Sequence, residues 1–254
     1  MRRRSAALLA SGALAVGALV LPSIQQHESS GDARILGVSV NGDNPIVLGP
    51  TGSSEIDFSV TAEDDSGISS VDGIGLWGPS LGVLPAGPTH CTARTARISV
   101  CTGTASVDVA ERQIFDDMAG VWHVQVTVHA HDGDQLTKED AGTFSIKKDG
   151  QLTEYGAPHT APKGSLITIG GQLKQPDWNS RTWLPSPNKK IVVQFCARDC
   201  TGTAVEVAVA TTDANGMVSA IVRTSVTGVY TLVFPGSKWA ESVQSTPAQV
   251  TVGG

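Results

Sequence analysis

From Arg34 onward, apolar and polar residues alternate in short runs. In "GVWHVQVTVHAHDGD" Trp122, Val124, Val126, Val128 and Ala130 fall on one side, and His123, Gln125, Thr127, His129 and His131 on the other. A period of two marks a β-strand with one wet face; a helix could not gather those five apolar side chains together. "SEIDFSVTAED" repeats the period at Ile56, Phe58 and Val60, and "ARILGVSV", "ARISVC", "TASVDV" and "AGTFSIKKDG" read as further strands. "DDSGISSVDGIGLW" reads as a turn followed by a strand. "AERQIFDDMAG" alone has helical spacing, at Ile114, Phe115 and Met118, and is short enough to serve as a turn between strands.

Beyond Lys148 the style repeats. "LTEYGAPHT" predicts an opening strand, and "GSLITIGGQL", "KKIVVQFCA", "AVEVAVATTD", "GMVSAIVRT", "GVYTLVFPG" and "TPAQVTVGG" predict six more. "TDANG" predicts a hairpin, because Asn215 and Gly216 tolerate positive φ. "IGGQL" has no following helix to cradle a phosphate and reads as a strand bend or bulge. "QPDWNSRTWLPSPNKK" reads as a Pro- and Asn-rich loop, and "GSKWAES" as another. The pattern therefore predicts an all-β protein of two tandem antiparallel sandwiches. They occupy residues 34–148 and 149–254, with a linker only about four residues long that restricts swing.

The first 33 residues stand apart. Arg2, Arg3 and Arg4 precede an apolar run from Ala6 to Leu21, the layout of a secretory signal followed by a short disordered segment. The run is short for a membrane span, so the membrane is met only through this segment if it stays uncleaved. Gly31 and Ala33, or Val16 and Ala18, supply small residues for cleavage. Export makes the protein secreted or envelope-associated.

Charge sharpens the division. Without the three arginines the chain has 15 basic and 24 acidic side chains, a net of −9. Residues 34–148 carry −8, residues 149–254 carry +1. An acidic first half repels phosphates and argues against a nucleic-acid partner, while leaving room for Ca²⁺. The four cysteines, Cys91, Cys101, Cys196 and Cys200, read as disulfides in an exported chain. Their proximity favours 91–101 and 196–200, and neither spacing has the C-x2-C knuckle of a zinc site. "CARDC" must then double back at Ala197, Arg198 and Asp199, since bridged Cα atoms lie within about 7 Å.

"VTAEDDSGISSV", "AGVWHVQVTVHAHDGD" and "TTDANGMVSAIVRTSVTGVYTLVFPGS" resemble the turn-and-strand patterns of bacterial immunoglobulin-like domains. As a whole, residues 34–253 are similar to secreted actinobacterial proteins of unknown function with a signal peptide and two such domains. That resemblance implies two tandem immunoglobulin-like sandwiches and says almost nothing of activity. The Cys196/Cys200 pair departs from what every relative would carry.

Three sets of residues are chemical candidates. In "HAHDGD", His129 and His131 are two apart on one strand face, close enough to share a zinc ion, while His123 lies about 20 Å away. Asp132 and Asp134, in the turn beyond, and Asp64 and Asp65, in "AEDDSG", offer oxygens to Ca²⁺. The plainer reading of both turns is polar residues facing water, and convergence of these residues would weigh toward metal. Trp178, Trp183 and Trp239 lie in the two loops and could stack on sugar rings as a glycan site, or could cover the open ends of the sandwiches. No G-x-S-x-G or H-E-x-x-H occurs, and bridged cysteines are no nucleophiles, so no enzyme activity is expected. The reading is a non-enzymatic structural or adhesive protein of the cell envelope or extracellular space. Its partners would be cell-wall glycan or another surface protein. The alternative is a ligand-binding module for Ca²⁺ or glycan.

Overall fold

The structure is a computed structural model that describes residues 28–198, 200 and 202–253. The arginine-led apolar run lies outside the described residues. The first ten strands are β1 (Glu28–Ser30), β2 (Arg34–Val40), β3 (Ile46–Leu48), β4 (Ser53–Glu63), β5 (Ile68–Trp77), β6 (Val83–Pro85), β7 (His90–Ala93), β8 (Ile98–Asp108), β9 (Gly120–Ala130) and β10 (Gln135–Lys148). They form a six-stranded sheet, β1-β10-β9-β5-β6 with β3 also on β10, and a four-stranded sheet, β2-β4-β8-β7. The second ten are β11 (Gln151–Glu154), β12 (Thr160–Pro162), β13 (Leu166–Asp177), β14 (Thr182–Pro185), β15 (Lys190–Ala197), β16 (Val205–Thr211), β17 (Met217–Arg223), β18 (Gly228–Phe234), β19 (Val243–Gln244) and β20 (Ala248–Gly253). They form another four-stranded sheet, β11-β13-β14 with β17, and another six-stranded one, β12-β20-β18-β15-β16 with β19. Among the described residues the fold is two sandwiches whose strand pairs are antiparallel except β3 with β10 and β12 with β20; an isolated parallel bridge joins Lys148 to Ala240.

Alternation does the folding. In β9 Trp122, Val124, Val126 and Val128 are all fully buried, and the strand is flanked by β10 and β5. Ile56, Phe58, Val60 and Ala62 of β4 pack from the opposite sheet. Each such Val, Ile or Phe side chain contributes about 1.5–3 kcal/mol on burial. The Trp122 indole N–H donates to the Met118 carbonyl at 2.9 Å, so its one polar atom is satisfied. The C-terminal sandwich has its own core, around Ile169, Leu173, Ile191, Val193, Leu232 and Val250.

Several expectations change. Residues 28–33 are not a disordered remnant: Glu28–Ser30 pair with Gln135–Thr137 of β10, and Ala33 is buried. "ARISVC" and "TASVDV" are one strand, β8, paired along its whole length with β4. The helix-spaced stretch is a turn closing in a single 3-10 turn, Asp116–Met118, that buries Ile114. "TDANG" makes a tight turn, with Asp213 accepting from the N–H groups of Asn215 and Met217, but no hairpin. Strand β16 pairs with β15 and β17 with β13, so the turn arches from one sheet to the other. "IGGQL" is neither bend nor bulge: β13 keeps register through it. A Cβ on Gly171 would meet Leu232 at 2.4 Å and the Thr153 carbonyl at 2.6 Å, so the glycine permits a close approach of chains.

Both disulfides form in the expected pairs. Cys91 and Cys101 are cross-strand partners in β7 and β8. Cys196 and Cys200 close a fold-back with Cα atoms 5.0 Å apart. Arg198 there has positive φ; Asp199 lies outside the described residues.

The largest correction concerns Trp178. Strand β13 runs on to Asp177, and the supposed loop is a turn leading into β14. From that turn Trp178 enters the core of the N-terminal sandwich, where it is 1% exposed among residues such as Leu48 and Ile114. Its backbone N–H donates to Asp116 Oδ1 at 2.8 Å. The same oxygen accepts from Lys148 Nζ, which also lies 5.5 Å from the indole centroid. Lys147 of β10 reaches Glu241 at 3.1 Å. One aromatic ring, the Trp178–Asp116 hydrogen bond and one ion pair, Lys147 with Glu241, thus join the halves, while Lys148 holds Asp116 from within its own half.

Trp178→Ala should cost about 3–5 kcal/mol, the range for emptying a large core site, read as a lower denaturant midpoint; a loss under about 1 kcal/mol would contradict the burial. The junction should also weaken in acid. Asp177 is held below the ordinary carboxylate value by hydrogen bonds from the hydroxyl and then the N–H of Ser180. Glu241 is lowered first by the Ser242 N–H, against burial, with help from Lys147. Carboxylates lowered on folding stabilise fully above about pH 4 and lose that contribution as pH falls through their lowered values. Denaturation midpoints across pH 2–6 should show this limb, and the double variant Asp177→Asn, Glu241→Gln should flatten it.

Candidate functional site

Strand β9 carries the chain from the junction at Gly120 to the far end at Ala130, about 33 Å at roughly 3.3 Å per residue. At that far end three turns meet. One follows β4 and holds Asp64 and Asp65. One follows β9 and holds Asp132 and Asp134. The third links β1 to β2 and holds Asp32. Carboxylate oxygens of Asp32, Asp64 and Asp134 lie within 4.8 Å of one another, as do those of Asp64, Asp65 and Asp132. Two oxygens on one Ca²⁺, each 2.3–2.6 Å from the ion, are separated by no more than about that distance.

Backbone bonding fixes the turns. Ser66 donates to Asp64 Oδ1 from its N–H at 2.8 Å and from its hydroxyl at 2.6 Å. The same hydroxyl accepts from the Asp132 N–H, and Asp132 Oδ1 accepts from the Asp134 N–H. Asp134 Oδ2 accepts from the Asp32 N–H at 2.8 Å. Gly31 sits so close that a Cβ there would meet Asp134 Oδ2 at 1.5 Å, and its φ of 86° favours glycine as well. Asp64 is 1% exposed, and its second oxygen, Oδ2, is buried with no hydrogen-bond donor. Burial pushes the Asp64 carboxyl up, yet the Ser66 hydroxyl and N–H, with a side-chain hydrogen bond from Asp32 and the charge of Arg97, outweigh it and hold the group below its ordinary value. Asp32 is raised, by desolvation first, then by the charges of Asp65 and Asp64 and by a side-chain hydrogen bond with Asp64.

The structure therefore brings together Asp64, Asp65, Asp132 and Asp134, and adds Asp32, which the sequence reading assigned to the disordered remnant. No local signal marks Asp32; its place depends on the pairing of β1 with β10, more than a hundred residues away. The histidines do not join. His129 Nε2 is 3.0 Å from Asp72 Oδ1; the strand ends at Ala130, and His131 is exposed beside Gly67, so the two histidines are not gathered with the carboxylates. His123 stacks on Trp77 at 4.2 Å and contacts Asp140 Oδ1 at 3.0 Å.

The three loop tryptophans gather at the junction rather than on an open face. Trp178 is buried, with no free ring face for a sugar, which removes it from the glycan set. Trp183 is half-buried against Gly49. Trp239 is 52% exposed, with Lys238 Nζ 4.3 Å over its ring. It walls a cleft of about 270 Å³ shared with Asp116, Lys148, Gln175 and Lys189. The Gln175 Nε2 is buried there without an acceptor.

No known sequence family matches the chain, and no curated protein does. Among solved structures it is similar to a DUF4785 family protein from Legionella pneumophila, at 13% identity and a TM-score of 0.42, over 81% of this chain and 56% of that one. It is also similar to the fibronectin(III)-like modules of CbhA from Clostridium thermocellum, at 12% identity and a TM-score of 0.39, over 85% of this chain and 92% of that one. A third is FdeC, an Escherichia coli adhesin, at 15% identity and a TM-score of 0.35, over 89% of this chain and 66% of that one.

Proposed function

We propose that the chain is a non-enzymatic, exported structural or adhesive module of the cell envelope or extracellular space, built of two domains, 34–148 and 149–254. The observation that carries this is the junction. Trp178 from one half fills the core of the other, and Lys148, held by Asp116, lies beside it. Such a joint resists bending, which suits a spacer that presents its surfaces at a fixed separation. Two disulfides suit an oxidising compartment. The integration of residues 28–33 into the N-terminal sheet supports signal cleavage upstream of Glu28. Cleavage after Ala33 would strip a paired strand from β10.

Cell-wall glycan is a second reading, favoured by the half-exposed Trp239 ring on the junction cleft. A sugar ring would stack on its apolar face.

Intact-mass measurement of the exported protein should place its first residue at or before Glu28; a chain starting at Arg34 would overturn the assignment. Purified protein should be retained on isolated cell envelopes. Trp239→Ala should reduce retention on purified peptidoglycan if glycan is the partner, and undiminished retention would remove that reading while leaving the structural one.

A further inference from the structure

We infer that Asp32, Asp64, Asp65, Asp132 and Asp134 form a calcium site that fastens the N-terminal strand β1 to the sandwich. Clustered carboxylates at a surface turn are common, and the cluster alone would not carry this. The deciding feature is Asp64. Its carboxylate is buried, Oδ1 is saturated by Ser66, and Oδ2 has no donor. Buried acceptors are almost always paired. What stands around this one is further carboxylates, those of Asp32 and Asp134 within 4.8 Å in one set and those of Asp65 and Asp132 in the other. A proton shared between Asp32 and Asp64 relieves one of these contacts; the remaining carboxylates, acceptors facing acceptors, are reconciled by a cation.

The basic groups nearby do not take that role. Arg97 acts on Asp64 through its charge, but its Nε lies by Glu63 Oε1 at 3.9 Å, and Arg34 is also turned to Glu63, at 3.4 Å. His131 is exposed and outside the oxygen set. The donors are all carboxylate oxygens, which selects a hard cation over zinc or copper. They come from three separate turns, a set that suits Ca²⁺, with its six to eight ligands and loose geometry, better than Mg²⁺, which demands a near-ideal octahedron.

Position gives the ion a task. Asp32 lies two residues beyond β1, and its N–H already bonds Asp134. One ion at Asp64 would tie the chain's entry to the ends of β4 and β9. These turns are separate in the unfolded chain, so binding would add directly to stability.

The test uses the exported chain that retains Glu28, stripped with chelator. Calorimetric titration with CaCl2 should show saturable binding at about 10⁻⁴–10⁻³ M, the range of extracellular modules. Ca²⁺ should raise the melting temperature and slow hydrogen exchange at residues 29–34. Asp134→Asn and Asp64→Asn should abolish binding. Should Asp64→Asn fold poorly, Asp65→Asn, at an exposed position, should weaken binding by about tenfold through loss of one ligand charge. Absence of heat and of a melting shift at about 10 mM Ca²⁺, well above that range, would overturn the site, as would full binding in Asp134→Asn. Equal affinity for MgCl2 would overturn the assignment to calcium. Ca²⁺ binding without added protection of residues 29–34 would overturn the fastening role.

Discussion

The structure depends on keeping one row of β9 dry. Trp122, Val124, Val126 and Val128 are fully buried because β9 is interior to its sheet, with β10 and β5 hydrogen-bonded on either side and β4 packed opposite. At a period of two only a strand presents four such side chains to one layer, and here the second sheet covers them. Strand β9 then acts as the ruler of the N-terminal half. The junction with the C-terminal half lies at its start and the acidic turns at its end, so two sites of different chemistry are held apart by a rigid span.

The junction extends the same logic across the chain. Its connection is short, and the second half supplies Trp178 to the first half's core. A ring buried in a neighbouring sandwich cannot leave without opening a large cavity. The polar groups around it are arranged to permit the burial. Asp116 accepts from both the Trp178 backbone and Lys148, and Lys148 in turn sits near the indole. Hydrophobic burial supplies the adhesion here, and the shared carboxylate fixes the orientation.

At the opposite end the balance is reversed. Carboxylates collect, one of them buried, and the donors available from Ser66 and the backbone satisfy only part of their capacity. The segment before β2 is drawn into this cluster through Gly31 and Asp32, so the order of that segment and the electrostatics of the turns are coupled.

By itself the sequence determined what is periodic or local. Period two marked most strands and the buried face of β9. An even set of cysteines in close pairs marked both bridges. Gly and Asx residues marked where the chain turns. These features are legible because strand geometry, chain reach and positive φ are properties of neighbouring residues. Tertiary structure decided what depends on distant partners. It joined two short runs into β8, because β4 offered an unbroken ladder. It sent "TDANG" across the sandwich rather than back along it, because β17 found its pairing on β13. It took Trp178 out of an apparent loop and into the other half's core, turned His129 to Asp72, and brought Asp32 to Asp64. Each of those outcomes follows from a contact between segments tens of residues apart, whose energy no local pattern encodes.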